Sequence, residues 1–379
     1  MKPLLIVIVL CAISFTATAN VRNIAGFVYN TETGDGLHGV HVFWKGAPNL
    51  GTITNEDGNF LILPHADSDT LIVSHLGFET VRHHVARRAR QLRIGISPRV
   101  YELSEVTVEA ISADEIMRRV ISRLAVNHPA HPVFYSFYHR EVFFSRDSII
   151  HFMEEHTGLI EHRRATFGIF NNNVRIDKSR MGYFTDVGEE MFENHRFISF
   201  TQILWDNPLF DAYDHLHRRR SRHFNFRFAG METVNERNSY IIDFKTARST
   251  FYPTGRLYID SETFAIVKEE LRNKTGSEVR QVNFIESNGQ WFLRSVFHLR
   301  PRFKVEYGHT IVGYSHRTTI YNFIQGAAPV SGLVRIGGLM PRSVKAMASD
   351  FSDEYWEGFQ SVLLPDWIES RIAGNNPRQ

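Results

Sequence analysis

Cysteine is nearly absent from this sequence. The chain of 379 residues holds one, Cys11, so no intramolecular disulfide can form and packing must hold the fold. Charge of one sign is missing as well. Lys and Arg number 43 and Asp and Glu 41, for a formal charge of +2. That balance argues against an acidic tail and against nucleic acid as a partner. No motif announces a reaction: G-x-S-x-G, the P-loop and G-x-G-x-x-G are all missing. There is also no apolar run of the ~18 residues that a membrane helix needs. The longest, Leu4–Phe15, is too short to span a bilayer.

That run has the layout of a leader. Lys2 precedes it, and Ala17-Thr18-Ala19 supplies small residues at the cleavage positions. The pattern predicts a signal peptide over residues 1–19, cut before Asn20. Leu10 is bulky for a lipoprotein cleavage ahead of Cys11. The expected mature chain has no cysteine and no transmembrane helix. Its expected address is the periplasm or the outer-membrane periphery.

Hydrophobic residues are 43% and charged residues 22% of the chain, values of a globular protein rather than a disordered one. Its length suggests about two domains at roughly 100–200 residues each. Thirty Phe and 13 Tyr lean toward β structure.

Residues 20–109 read as short strands broken by Gly, Asn and Asp. Ile24–Tyr29, Val40–Trp44, Asn59–Leu63, Thr70–His75, Thr80–Val85 and Leu92–Ile96 are the runs. Val40, Val42 and Trp44 share one face of theirs. Asp57-Gly58 predicts a hairpin turn ordered by the Asp57 side chain. Runs at this spacing predict a β-sandwich.

The order of the turn residues is informative. Gly26-Phe27-Val28-Tyr29 is followed by Gly39-Val40-His41-Val42 and by Gly51-Thr52-Ile53-Thr54-Asn55-Glu56-Asp57-Gly58-Asn59-Phe60. Asp69–Phe78, with Gly77, and Leu103–Val108 complete the series. This resembles the carboxypeptidase-regulatory-like domain, a transthyretin-like sandwich of Bacteroidetes envelope proteins. The resemblance implies an appendage or adaptor, not a zinc enzyme. Gly26, Gly39, Gly51, Asp57, Gly58 and Gly77 are then turn and close-approach positions.

Ser112-Ala113-Asp114-Glu115 has capping-box spacing. Ile116, Val120, Ile121 and Leu124 follow at helical intervals, and His128-Pro129 ends the run. A linking helix is expected over residues 110–130, packed on a sheet. From 131 to 325 the chain alternates again, as in Tyr240/Ile242/Phe244 and Trp291/Leu293/Phe297. This predicts a large antiparallel sheet. Gly255–Asp260 with Phe264–Val267 resembles strands of periplasmic half-barrels of the lipoprotein-carrier type. Residues 326–379 are a Gly-rich segment and an aromatic tail, in which Tyr355-Trp356-Glu357-Gly358 resembles the close of a larger Bacteroidetes family. Its stretch Tyr355–Trp367 could cover the sheet's concave face.

His151-Phe152-Met153-Glu154 fits H-x-x-E, but on a strand His151 and Glu154 face apart, and both read as solvated. Glu56, Asp57 and Asn59 lack the spacing of a calcium loop. Glu154/Glu155 and Glu189/Glu190 are adjacent and point apart. Basic clusters stand at Arg87, Arg88 and Arg90 and at Arg218–Arg220 with Arg222, the second among His215, His217 and His223. For an exported chain they suit lipid phosphate or an acidic glycan.

The expectation is a mainly β, non-enzymatic envelope protein without metal or cofactor. The sandwich would be an interaction module, and the second part would bind an apolar or glycolipid ligand or an envelope protein. A hydrolase with a dispersed site and a small outer-membrane barrel are the alternatives.

Overall fold

A computed structural model of the chain describes residues 23–98 (without 56, 66, 76–77 and 87), 111–129, 132–162 (without 146–148), 172–193, 199–201, 215–301 (without 235–236 and 249–251), 306–307, 310–311, 313–325, 331–349 (without 340) and 355–356. The expected leader, Glu56, Gly77, Arg87, Leu103–Val108, most of Phe197–Tyr213 and the tail after Trp356 lie outside the described residues.

The protein is mainly β. Seven strands come first: β1 (Ile24–Asn30), β2 (His41–Trp44), β3 (Ala47–Ile53), β4 (Asn59–Ile62), β5 (Thr70–Ser74), β6 (Val81–His84) and β7 (Gln91–Ile96). They form two small sheets, β4-β1-β7 and β3-β2-β5-β6. Val28, Ile94 and Phe60 of the first pack with Val42, Trp44 and Leu71 of the second in one apolar cluster, as the alternation at Val40, Val42 and Trp44 requires.

Helix α1 (Ala113–Asn127) follows. Ser112 caps it, its Oγ accepting from the Glu115 N–H at 3.2 Å. The Glu115 carboxylate takes up Arg119 at 2.7 Å, and Arg118 as well.

The remaining elements are β8 (Val133–Phe144), β9 (Ile150–His162), β10 (Asn173–Tyr183), α2 (Asp186–Glu193), β11 (Asn225–Val234), β12 (Arg237–Lys245), β13 (Thr254–Asp260), β14 (Ile266–Arg272), β15 (Val279–Ser287), β16 (Gln290–Arg300), β17 (Glu306–Tyr307), β18 (Thr310–Ile311), β19 (Gly313–Gln325), β20 (Val334–Arg335), α3 (Pro341–Ala346) and β21 (Ala348–Ser349). Twelve of these strands make one sheet, in the order β11-β12-β13-β14-β15-β16-β19-β8-β9-β10-β20 with β21 beside β10. Its neighbours are antiparallel except β10 and β21. The sheet is open and not closed into a barrel, which sets aside the outer-membrane barrel reading.

One face of this sheet packs under α1. Ile116, Met117, Val120 and Leu124 meet Ile242, Leu257, Val282, Val296 and Phe137. The other face carries the small sheets. Arg317 Nη1 donates to the Thr54 carbonyl at 3.5 Å, and the Phe297 ring meets His38 edge-on at 5.9 Å.

Several expectations are corrected. Asp57-Gly58 does not close a hairpin, because β3 and β4 belong to different sheets. Asn55, wholly buried, orders the turn: its Oδ1 accepts the N–H groups of Asp57 at 3.0 Å and Asn59 at 2.8 Å. Phe297 does not share a face with Trp291 and Leu293. A register shift in the β15–β16 ladder, between Asn283 and Phe284, turns it to the sandwich side. The His and Glu residues of β9 are not solvated, since every residue of β9 is buried. Among the strands of seven or more residues, β3, β10 and β11 carry no clear sequence signal: Pro48, Asn49 and Gly51 of β3 look like turn residues, β10 is charged, and β11 lies at the sheet edge.

Candidate functional site

Charge runs through the middle of the large sheet. On the sandwich side Arg180, Glu155, Arg140 and Arg317 are cross-strand neighbours on β10, β9, β8 and β19. Arg140 Nε donates to Glu155 at 2.8 Å, and Arg180 and the Tyr138 hydroxyl donate to the same carboxylate. Burial alone would raise the Glu155 carboxyl, but Arg180 and Arg140 outweigh it and hold it at about 2. Tyr138 is pushed well above its usual value by that burial. Tyr355 and Trp356 cover this network: Trp356 lies over Arg180 and Tyr355 over Lys178. Tyr355 and Trp356 thus lie on the sandwich side, while the rest of the stretch expected to cover the concave face lies outside the described residues.

On the helix side the polar residues pair differently. His298 Nε2 and the Glu278 carboxylate share a bond of 2.8 Å. His215 Nε2 and Glu269 share one of 2.6 Å, and Arg280 reaches the same carboxylate. Glu154 faces His156, at 3.5 Å. His151 instead bonds the Thr185 hydroxyl at 2.7 Å, at the head of α2. The H-x-x-E pair is thus not brought together, and Glu154 and Glu155 serve opposite faces. Among the described residues no group of three or more His, Cys, Asp or Glu side chains is placed to hold a metal ion.

The basic cluster at 218–222 has a more suggestive setting. A groove of about 950 Å³ runs between α1 and the segment that leads into β11. Met117 and Ile121 of α1 and Phe224 and Phe226 opposite supply apolar walls. Arg218 and Arg222 bring two guanidinium groups to it, while Arg118, also in the lining, is paired with Glu115, and Asp114 adds one carboxylate. Phe226 extends the apolar lining toward Phe244 in the core, 6.3 Å away. Phe228, one pleat further along the edge strand, is 40% exposed. Amphipathic grooves of this size and lining suit ligands with an apolar body and one charged end. His215 of the same cluster is not part of the groove surface: it is buried and stacked on Phe244 at 4.4 Å. Sequence reasoning found the arginines but not their partner wall. Ile121 stood in the helical pattern, and nothing local linked it to residue 222.

The glycines of the first strands sit where backbone geometry is demanding. Gly58 has φ +86°, and a Cβ there would lie 2.5 Å from the Val28 carbonyl oxygen. Gly39 has φ +76°. Gly51 is extended, but a Cβ would lie 2.6 Å from Arg294 Nη2, so it lets the large sheet approach the small ones. Gly26 lies against the Phe60 ring.

Comparison with known proteins bears on these strands. Residues 24–108 match the CarboxypepD_reg-like domain. No curated protein matches the chain. Solved structures similar to it cover mostly the same share. A putative outer membrane lipoprotein-sorting protein domain from Vibrio parahaemolyticus is 7% identical, over 58% of this chain and 95% of that one, with a TM-score of 0.30. A DUF1329 family protein from Desulfovibrio piger is 10% identical, over 58% and 96%, with a TM-score of 0.30. A LolA superfamily protein from Nitrosomonas europaea is 11% identical, over 58% and 96%, with a TM-score of 0.24. Among the described residues no helix is long and apolar enough to cross a membrane.

Proposed function

We propose that the protein is a non-catalytic, exported envelope protein that holds an anionic amphiphile in the groove beside α1. The ligand class is an acyl chain with a carboxylate or phosphate head. The CarboxypepD_reg-like domain serves as an interaction module, and it and the large sheet are two separate domains. The observation that carries the reading is the groove: Arg218 and Arg222 line it together with Met117, Ile121, Phe224 and Phe226. Arginine suits carboxylate and phosphate because its planar fork can donate two bonds at once. Burying an acyl chain gains about 0.8 kcal/mol per CH₂, so such a groove needs no deep cavity to bind.

Native mass spectrometry of freshly purified protein tests this. The expected result is an adduct with the mass of a lipid acid or lipid phosphate, lost when Ile121 is changed to Asp. Protein free of any such adduct that also fails to take up added lipid would defeat the proposal.

A further inference from the structure

A second cavity lies where the small sheets meet the large one, with a volume of about 260 Å³. It shares no lining residue with the groove beside α1. His41 and Ser74 line it from β2 and β5, and Lys268 and Gln281 from β14 and β15. His41 is 8% exposed and Lys268 7%, and both belong to its lining. A buried ammonium is costly unless it is compensated. Lys268 Nζ meets Glu270 Oε1 at 2.5 Å, and that carboxylate is also part of the lining.

The surrounding charge is positive. Arg294 is buried and its charge acts on His41, and Arg317 Nη2 lies 3.2 Å from Nε2 of His38, another lining residue. Among the described residues Lys268 and these two arginines stand near the cavity, and Glu270 is the one carboxylate of its lining. Burial first, then the charges of Arg294 and Lys268, hold His41 neutral, with its pKa lowered to about 3. A neutral imidazole can still donate one N–H. The His41 ring makes no hydrogen bond among the described residues. At about 30 Å³ per water the space holds roughly nine waters, more than an inorganic ion fills.

We propose that this junction cavity is a second binding site, for a small organic acid whose carboxylate is held by Lys268, Ser74, Gln281 and His41. Donors come from both sides of the junction, so the ligand clamps the small sheets to the large one. The inference is independent of the reading given for the α1 groove.

The test is calorimetric titration of the full chain with malonate, and with 1,3-propanediol as the uncharged probe of similar size. Malonate is expected to bind at one site and the diol not at all. Lys268→Met should weaken malonate by about tenfold or more, the worth of a bond to a charged group. Lys274→Ser, at an exposed turn, should leave it unchanged. Should Lys268→Met fail to fold, NMR of the unmutated protein decides: the His41 ring signals should move on malonate titration. Absence of saturable malonate binding, equal binding of the diol, undiminished affinity in folded Lys268→Met, or unmoved His41 signals would each overturn the proposal.

Discussion

Trp356 lies over Arg180, with the guanidinium carbon 4.7 Å from the indole centroid. The contact joins a residue late in the chain to the middle of the large sheet. Arg180 is already committed to Glu155, so the indole closes a charge network that would otherwise meet water. Its Nε1 donates to Ser349 Oγ at 3.4 Å, and the ring also packs on Tyr138.

Removing the indole should therefore cost more than its apolar area. Trp356→Ala is expected to destabilise the protein by about 3–5 kcal/mol, as for other large buried aromatics. Urea denaturation followed by tryptophan fluorescence measures this. An unchanged midpoint would show that the segment around Trp356 does not dock on the sheet.

Gly58→Val should be costly for two reasons. The left-handed conformation penalises a side chain by about 1–2 kcal/mol, and the new Cβ would meet the backbone of Val28, Gly36 and Leu37. The expected outcome is loss of the cooperative transition of the small sheets, with that of the large sheet retained. Calorimetry resolves the two transitions. A thermogram identical to that of the unmutated protein would contradict the turn geometry.

Acid should weaken the fold in two stages. His41 has a folded value of about 3 against 6.5. Below pH 6.5 the unfolded chain takes up a proton that the folded chain refuses, so stability falls from there toward pH 3. Glu155, held at about 2 against 4.5, adds stability that is complete above 4.5 and is lost as the pH falls toward 2. Urea midpoints at pH 7, 5.5 and 4 should decline steadily. His41→Gln should flatten the upper part of that decline. A midpoint constant from pH 7 to 4 would contradict the assignment.

Much of the fold was legible in the sequence for identifiable reasons. Period-two alternation exposed β12, whose Ile242 and Phe244 face the apolar core. The Ser112 cap and the stripe Ile116, Val120, Leu124 exposed α1. What stayed hidden depends on neighbours distant in sequence. The burial of Glu155 follows from Arg140 and Arg180 on the adjacent strands, and a single window sees only a charged residue. Phe297 departs from the face that counting by twos predicts, because a bulge leaves no mark in a single window. The groove was half legible: Arg218 and Arg222 are four residues apart in sequence, whereas Met117 and Ile121 lie on α1, with β8, β9 and β10 in between.

The amphiphile groove is the central claim, and an affinity comparison tests it most directly. Laurate and dodecanol share a chain and differ in charge at the head. The full chain is expected to bind laurate more tightly than dodecanol. Changing Arg218 and Arg222 together to Ser should remove that preference while leaving dodecanol binding intact. Two charge-assisted bonds of about 1.5 kcal/mol or more each correspond to a preference on the order of a hundredfold. Equal affinities for the two ligands in the unmutated protein, or a preference that survives loss of both arginines, would contradict the account.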